Sequence, residues 1–399
     1  MSTSENVRAA GPAAAVPHPL AYLYPMTFSS GIILISLGPV LDPIIRDLGA
    51  PLSQGGLLAA GFAAGRVVAL VLLNACLAKV PLKWLVVGAA LLQAVGLAVP
   101  ALFVHSFPLL VGFVAVVGAA ATIPIVVPVM WVGAHAKHFT EQAMLLILIF
   151  FALGVVVSPL AIGAALALGA SWRWVFIGEA VFSVLVAVVI GVVPLADVPG
   201  RENLRFRHMR EAAGYAPRLL ALVLAAMFFY IGAEHILNIW LAEFQVETFG
   251  AGQGTAATAL ALFFGGIMAG RFLAVPLTRR LPAARILAIS CALMAVFTLL
   301  TALSPTLAAS QVLIFVTGLG TSAAYPLLSS YINRFPARFS GLVFSIITLV
   351  VIISGAVFAY GVGPVGASLG MRMALALGAA PAAVVVVLSF FLPTRPSDR

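Results

Sequence analysis

The chain has 399 residues, of which 63% are hydrophobic and 8% charged, and 21 Lys and Arg against 12 Asp and Glu give a formal net charge of +9. A soluble domain is about 45–50% apolar and about 25% charged, so the composition excludes a water-soluble enzyme, a disordered chain and, with only two cysteines, a small disulfide scaffold. What it leaves is a polytopic membrane protein.

The apolar stretches are long and unbroken, as in Leu219–Ile231 and Met373–Leu392. A transmembrane barrel instead needs alternating strands of about ten residues, so the chain is all-α. A helix crosses the hydrocarbon layer in about 20 residues. Reading apolar runs between polar breaks predicts twelve spans, near 19–41, 54–77, 84–104, 108–132, 142–168, 174–194, 218–243, 253–276, 284–304, 308–331, 340–363 and 369–392. The residues ahead of the first span lack a clustered basic segment and do not resemble a signal peptide. Two stretches punctuated by proline or glycine, Pro124–Pro128 and Gly361–Gly366, read as hinges.

Charge placement gives an orientation. If the N-terminus is cytoplasmic, 16 of the 21 cations fall on the cytoplasmic side, among them Lys79, Lys83, Lys137, Arg201, Arg205, Arg207, Arg210, Arg280, Arg285 and Arg334. Arg46, Arg173 and Arg372 fall on the outer side, and Arg66 and Arg271 inside spans. This bias obeys the positive-inside rule and places both termini in the cytoplasm of a cell membrane, expected to be a bacterial inner membrane. It also accounts for the positive net charge through dispersed loop residues beside anionic headgroups, so no nucleic-acid partner is expected. The longest polar break, Pro194–Arg218, divides the chain into a six-helix bundle over 1–193, a cytoplasmic linker over 194–217 and a second six-helix bundle over 218–399.

The halves echo each other. Gly61-Phe62-Ala63-Ala64-Gly65-Arg66 precedes Lys79-Val80-Pro81-Leu82-Lys83, and Gly265-Gly266-Ile267-Met268-Ala269-Gly270-Arg271 precedes Arg279-Arg280-Leu281-Pro282. Small residues at such spacing let helices approach closely. The fourth and tenth spans also match, with Pro124 and Pro326 each ahead of a short loop carrying a cation. Twelve spans in two sixes, a basic central loop and this basic turn resemble the major facilitator superfamily. Ala78 stands where that family usually has an aspartate. Gly154–Gly163, with Ser158-Pro159 inside it, is similar to the fifth-span Gly/Pro motif of proton-driven exporters, and Ser171-Trp172-Arg173-Trp174-Val175-Phe176 looks like the start of the family's sixth span. The resemblance implies two bundles that rock around a central site.

An ionisable side chain inside a span costs about 2.5–3.5 kcal/mol on insertion scales and usually has a task. Tyr230, Glu234 and Asn238 recur every four residues and share a face of the seventh span, with His235 beside them and Trp240 toward the outer interface. A carboxylate in a low dielectric favours its neutral form, which suits Glu234 to carry a proton. Otherwise the group is a polar cluster that ties the span to its neighbours. Arg66, mid-span, either holds an anionic solute or fills a helix–helix gap by binding carbonyls. Arg271 lies nearer the cytoplasm, where it can snorkel. Glu179 lies below Trp172 and Trp174, which read as an aromatic belt, and is either a cavity or an outer-leaflet carboxylate. Tyr24, Trp131 and Tyr325 are candidates for lining a pocket. His135, Lys137, His138 and Glu141 read as headgroup or gate contacts, and no metal site or cofactor is expected.

These residues point to a secondary active transporter of a small organic solute, proton-coupled and working by alternating access as a single copy in the lipid bilayer. A proton/drug antiporter exporting apolar compounds, and a sensor that keeps a transporter fold without flux, fit the same sequence. No nucleotide-binding motif or helically spaced catalytic pair is visible, so the chain is not expected to be an enzyme.

Overall fold

The structure, a computed structural model, describes residues 21–76, 79–135, 140–197, 214–278, 280–335 and 337–393. Twelve helices among them are long and apolar enough to cross a membrane. In chain order they are α1 (Leu23–Leu48), α2 (Gly56–Cys76), α3 (Leu82–Phe103), α4 (Phe107–His135), α5 (Thr140–Ala167) and α6 (Trp172–Val192). The second six are α7 (Pro217–Phe249), α8 (Gln253–Thr278), α9 (Ala283–Ala302), α10 (Leu307–Ser330), α11 (Ala337–Leu369) and α12 (Met371–Ser389). Large apolar side chains such as Leu102, Phe103, Val192, Phe272 and Phe390 are more than half exposed on the outside of the bundles. Water does not tolerate so continuous an apolar surface; a lipid environment does.

One end of the molecule carries the turns around Lys79, Lys83, Arg280, Arg285 and Arg334, and is called the basic end here; the other is the far end. The linker cations Arg201, Arg205, Arg207 and Arg210, together with Lys137, His138 and Arg279, lie outside the described residues, as does Ala78. Two helices run further toward the far end than the apolar runs predict. α1 continues past residue 41 to Leu48, because Asp42 is satisfied internally by Arg46 one turn on, Nε to Oδ1 at 2.7 Å. α7 likewise continues to Phe249. The two proline- or glycine-rich stretches read as hinges lie inside continuous helices, α4 and α11. The interruptions fall instead at Ser322–Ala323 in α10 and at Gly378 in α12.

The two halves repeat the same packing. In the first, α1 packs on α5, α2 on α4 and α3 on α6; in the second, α7 packs on α11, α8 on α10 and α9 on α12. The glycines keep a constant spacing of 201 residues (49 to 250, 169 to 370). Gly49 and Gly250 end α1 and α7 in the left-handed region, at φ 61° and 64°, and Gly169 and Gly370 repeat this at φ 83° and 81°. A side chain is strained there and glycine is not. At the same spacing Gly65 and Gly266 bring α2 onto α4 and α8 onto α10; a Cβ on either would overlap a carbonyl, of Ala115 or of Phe315. The sequence shows the same offset, since Arg66 lies 13 residues before Lys79 and Arg271 lies 9 before Arg280, about one turn apart in depth. Gly65 corresponds to Gly266 and not to Gly270, so Arg66 and Arg271 are not equivalent positions.

The repeat also explains two of the arginines at the far end. Arg173 at the start of α6 donates from Nη1 to the carbonyls of Pro100, Ala101 and Val104. Arg372 at the start of α12 does the same for Ala302 and Ser304, at 2.8 and 2.9 Å. Each caps the C-terminus of the third helix of its own bundle, where carbonyls lack intrahelical partners and a cation is favoured. Trp172 is buried rather than interfacial and donates to Asp47 at 3.0 Å, while Trp174 is exposed as a belt residue would be.

The bundles meet chiefly through α5 against α8, α2 against α11 and α1 against α7. Toward the far end backbones touch directly: Gly38 of α1 lies against the Asn238 carbonyl, Gly56 against Ala359 and Tyr360, and Gly163 against Gly254. Trp240, read from sequence as interfacial, is fully buried there and donates its indole N–H to the Ala359 carbonyl at 2.7 Å. The far end is closed. The glycine contacts give a direct test: Gly266→Ala should lower the thermal stability of the solubilised protein by about 1–3 kcal/mol, an overpacking cost. The adjacent Gly265→Ala, which meets nothing within 4 Å, should not lower it.

Candidate functional site

Where the two bundles face each other at mid-depth, α1, α2, α7 and α11 enclose a cavity of about 20 Å³ lined by Phe62, Arg66, His235, Asn238 and Ile352 among others. That volume holds about one water, so the cavity is occluded to any larger solute. Arg66 comes from α2 of the first bundle, and His235 and Asn238 from α7 of the second. The polar groups converge on it unsatisfied: Arg66 Nε and Asn238 Oδ1 are both buried without a hydrogen-bond partner. His235 faces the Ile231 carbonyl through Nδ1 at 3.2 Å. If that nitrogen carries the proton, Nε2 is left as the acceptor. Its imidazole fits only because α11 has Gly355 opposite; a Cβ there would come within 2.7 Å of Nε2.

Toward the basic end of the cavity lies a second group. The Tyr230 hydroxyl donates to Glu234 Oε2 at 2.5 Å, an i,i+4 contact on α7. Arg271 of α8 acts electrostatically on Glu234, and Tyr325 of α10 lies within reach of Glu234, Arg66 and Arg271 together. Tyr325 is 38% exposed and Arg271 is exposed, so this group reaches the molecular surface. The expected stripe of Tyr230, Glu234 and Asn238 therefore splits. Eight residues of helix advance the direction by roughly 80° beyond two full turns, which turns Tyr230 into the second bundle and Asn238 toward the first.

Glu179 stands apart from both groups. It is buried on α6 inside the first bundle, beside Ser36 of α1, and both carboxyl oxygens lack a hydrogen-bond partner. The Ser36 hydroxyl donates to the Ile33 carbonyl instead. Of the candidate pocket aromatics, Trp131 is buried, donates to the Ala196 carbonyl and stacks on His135 at 4.6 Å, which is a packing role. Tyr24 stacks on Phe150 at 4.3 Å. The described residues contain no group of His, Cys, Asp or Glu that could hold a metal ion, and Cys291 is a buried free thiol. Sequence reasoning missed Gln253, which donates from the start of α8 to Asp42 of α1, and Gly355; the glycine spacing of 201 residues was the signal that could have found the latter.

The family model of the Major Facilitator Superfamily matches residues 23–250 and 222–399. The chain belongs to the major facilitator superfamily. This is a family of transporters rather than enzymes, so the chain is a multi-pass membrane protein with a transporter's fold. Three solved members show the same architecture. A bacterial homologue of the human lysosomal transporter Spinster, inward-facing and occupied, superposes with a TM-score of 0.73 at 17% identity, over 94% of this chain and 95% of its own. A D-xylose–proton symporter gives 0.75 at 14% identity over 94% and 97%. The fucose–proton symporter of E. coli gives 0.62 at 17% identity over 94% and 98%. At these identities the likeness is one of fold. No curated protein sequence matches the chain.

The Tyr230–Glu234 bond makes a prediction independent of transport. Tyr230→Phe removes the donor to a buried acceptor and should destabilise the protein by about 1–3 kcal/mol. Combined with Glu234→Gln the loss should be smaller than the sum of the two single losses, as a double-mutant cycle of thermal stabilities will read for contacting residues.

Proposed function

We propose that this superfamily member is a secondary active transporter of a small organic solute, coupled to protons, whose bundles over 1–193 and 218–399 rock about the central cavity while the 194–217 segment links them. A single copy suffices, embedded with the basic end and both termini in the cytoplasm of a bacterial inner membrane. The observation that carries the reading is the meeting of the two groups at the bundle interface: a hydrogen-bonded Tyr230–Glu234 pair next to a small cavity holding Arg66, His235 and Asn238.

The chemistry divides between them. Glu234 is the proton carrier, with Tyr230 fixing its carboxyl and Arg271 and Tyr325 setting the charge around it. Arg66 Nε offers an unused donor and Asn238 Oδ1 an unused acceptor, so a solute bearing both hydrogen-bonding types satisfies them when it replaces water. His235 adds an acceptor on the same wall. Glu179, buried in the first bundle, is a secondary proton-binding candidate. Two of the solved relatives are described as proton symporters, which supports the coupling.

The proposal is tested in reconstituted vesicles. Solutes are first selected as ligands that raise the melting temperature of the purified protein, since binding to the native state alone stabilises it by mass action. Uptake of such a solute should be driven by an imposed pH gradient and collapse with a protonophore. Glu234→Gln should remove the gradient-driven component, and Arg66→Ala should weaken solute binding at least tenfold, the scale of about 1.4 kcal/mol. Gradient-independent flux, or proton-driven flux that survives Glu234→Gln, overturns the coupling assignment.

A further inference from the structure

We propose that Asp42 and Glu243 hold one shared proton that latches the far end of the two bundles shut. Asp42 lies on α1 and Glu243 on α7, each seven residues before the left-handed glycine that ends its helix, Gly49 and Gly250. They are thus the same position in the two copies of the repeat, set opposite each other one turn beyond the Gly38–Asn238 contact of α1 and α7. Both are buried, each 6% exposed.

The hydrogen bonds around them do not close without a proton. Asp42 accepts from Arg46 Nε through Oδ1 and from Gln253 Nε2 through Oδ2, and Gln253 belongs to the other bundle. Glu243 lies in hydrogen-bonding reach of Asp42, yet its Oε2 is buried with no partner. Two ionised carboxylates are acceptors only. One hydrogen between them supplies the missing donor and leaves the pair with a single negative charge facing the Arg46 guanidinium. The other charges nearby are engaged elsewhere. Glu247 on α7 accepts the Met371 N–H at 3.3 Å, Asp47 takes Trp172 and Arg173, and Arg372 of α12 caps α9. A metal ion fits less well than a proton. Two N–H donors already point at Asp42, and a cation such as Ca²⁺ requires six to eight oxygens.

Release balances simply. The shared proton passes to water on the far side, the O–H···O bond is lost, and two buried carboxylates are left side by side across the bundle interface. Their repulsion favours parting of α1 from α7 and hydration of both groups. The closed state binds the extra proton, so it is favoured at low pH and the open state gains as pH rises, with a limiting slope of about tenfold in the open-to-closed ratio per pH unit for one proton.

The latch rests on alternating access but not on coupling through Glu234, and its test reads distance rather than flux. Nitroxide labels at Leu168→Cys and Leu303→Cys, exposed turns at the far end of either bundle, in a Cys76→Ala, Cys291→Ala background, report the gate by pulsed electron spin resonance in vesicles. Raising pH should transfer population from the short to the long distance. Glu243→Gln, whose amide donates permanently to Asp42, should hold the short distance at every pH, and Gln253→Ala should keep the titration while shifting it toward open. The titration should persist in Glu234→Gln, whatever that variant does to transport. A flat profile in the labelled parent overturns the latch, and that outcome does not depend on any carboxyl variant folding. So does a Glu243→Gln profile matching the parent, or a gate that follows Na⁺ or Ca²⁺ at fixed pH.

Discussion

The crossing of α1 and α7 constrains everything else in this molecule. At Gly38 the backbone of one helix lies directly on the Asn238 carbonyl of the other, an approach that any side chain would prevent. Because the two helices are equivalent members of the repeat, their crossing lies where the two bundles meet. Moving from it toward the basic end leads to the faces of α7 that carry Asn238, His235 and Glu234. Moving toward the far end leads at once to Asp42 and Glu243. The central cavity and the closed end are therefore set by one close contact, and neither can change without α1 and α7 turning against each other.

The pairs of helices on either side of that crossing behave as rigid units for the same reason. Gly31 against Gly154, Gly65 against Ala115 and Gly266 against Phe315 bring backbones together at several depths. In a bilayer, helix association draws on close packing and interhelical contacts rather than on the hydrophobic effect. Arg173 and Arg372 add to this by tying the third and sixth helices of each bundle together through the carbonyls they cap. Polar groups that would be costly in hydrocarbon are thus used as joints inside a bundle.

Much of this was legible in the sequence, and the limits have identifiable causes. Twelve apolar runs gave twelve helices because length and hydropathy are decided locally. The Tyr230–Glu234 contact was legible because i,i+4 neighbours meet on any helix. The gathering of Arg66 with His235 and Asn238 was not, since it depends on where two helices far apart in the chain cross. The repeat was visible, and so was the one-turn offset between Arg66 and Arg271, but its constant spacing belongs to the glycines. Trp240 looked interfacial from its place near the end of an apolar run; α7 runs on to Phe249, so the indole is buried. Asp42 and Glu243 were legible as ionisable groups near the outer ends of their spans, whereas Gln253 carried no local signal.

The constant spacing of 201 residues also separates two burdens that a single-copy protein must carry together. In the first copy the positions matching Glu234, His235 and Asn238 are Ile33, Leu34 and Leu37. The left-handed glycines persist in both copies, whereas these three cavity groups occur in one. Architecture is held by residues with no side chain, and chemistry by residues that the architecture does not require. Such a molecule can exchange the lining of its cavity, and with it what the cavity prefers, while its hinges and contacts stay as they are.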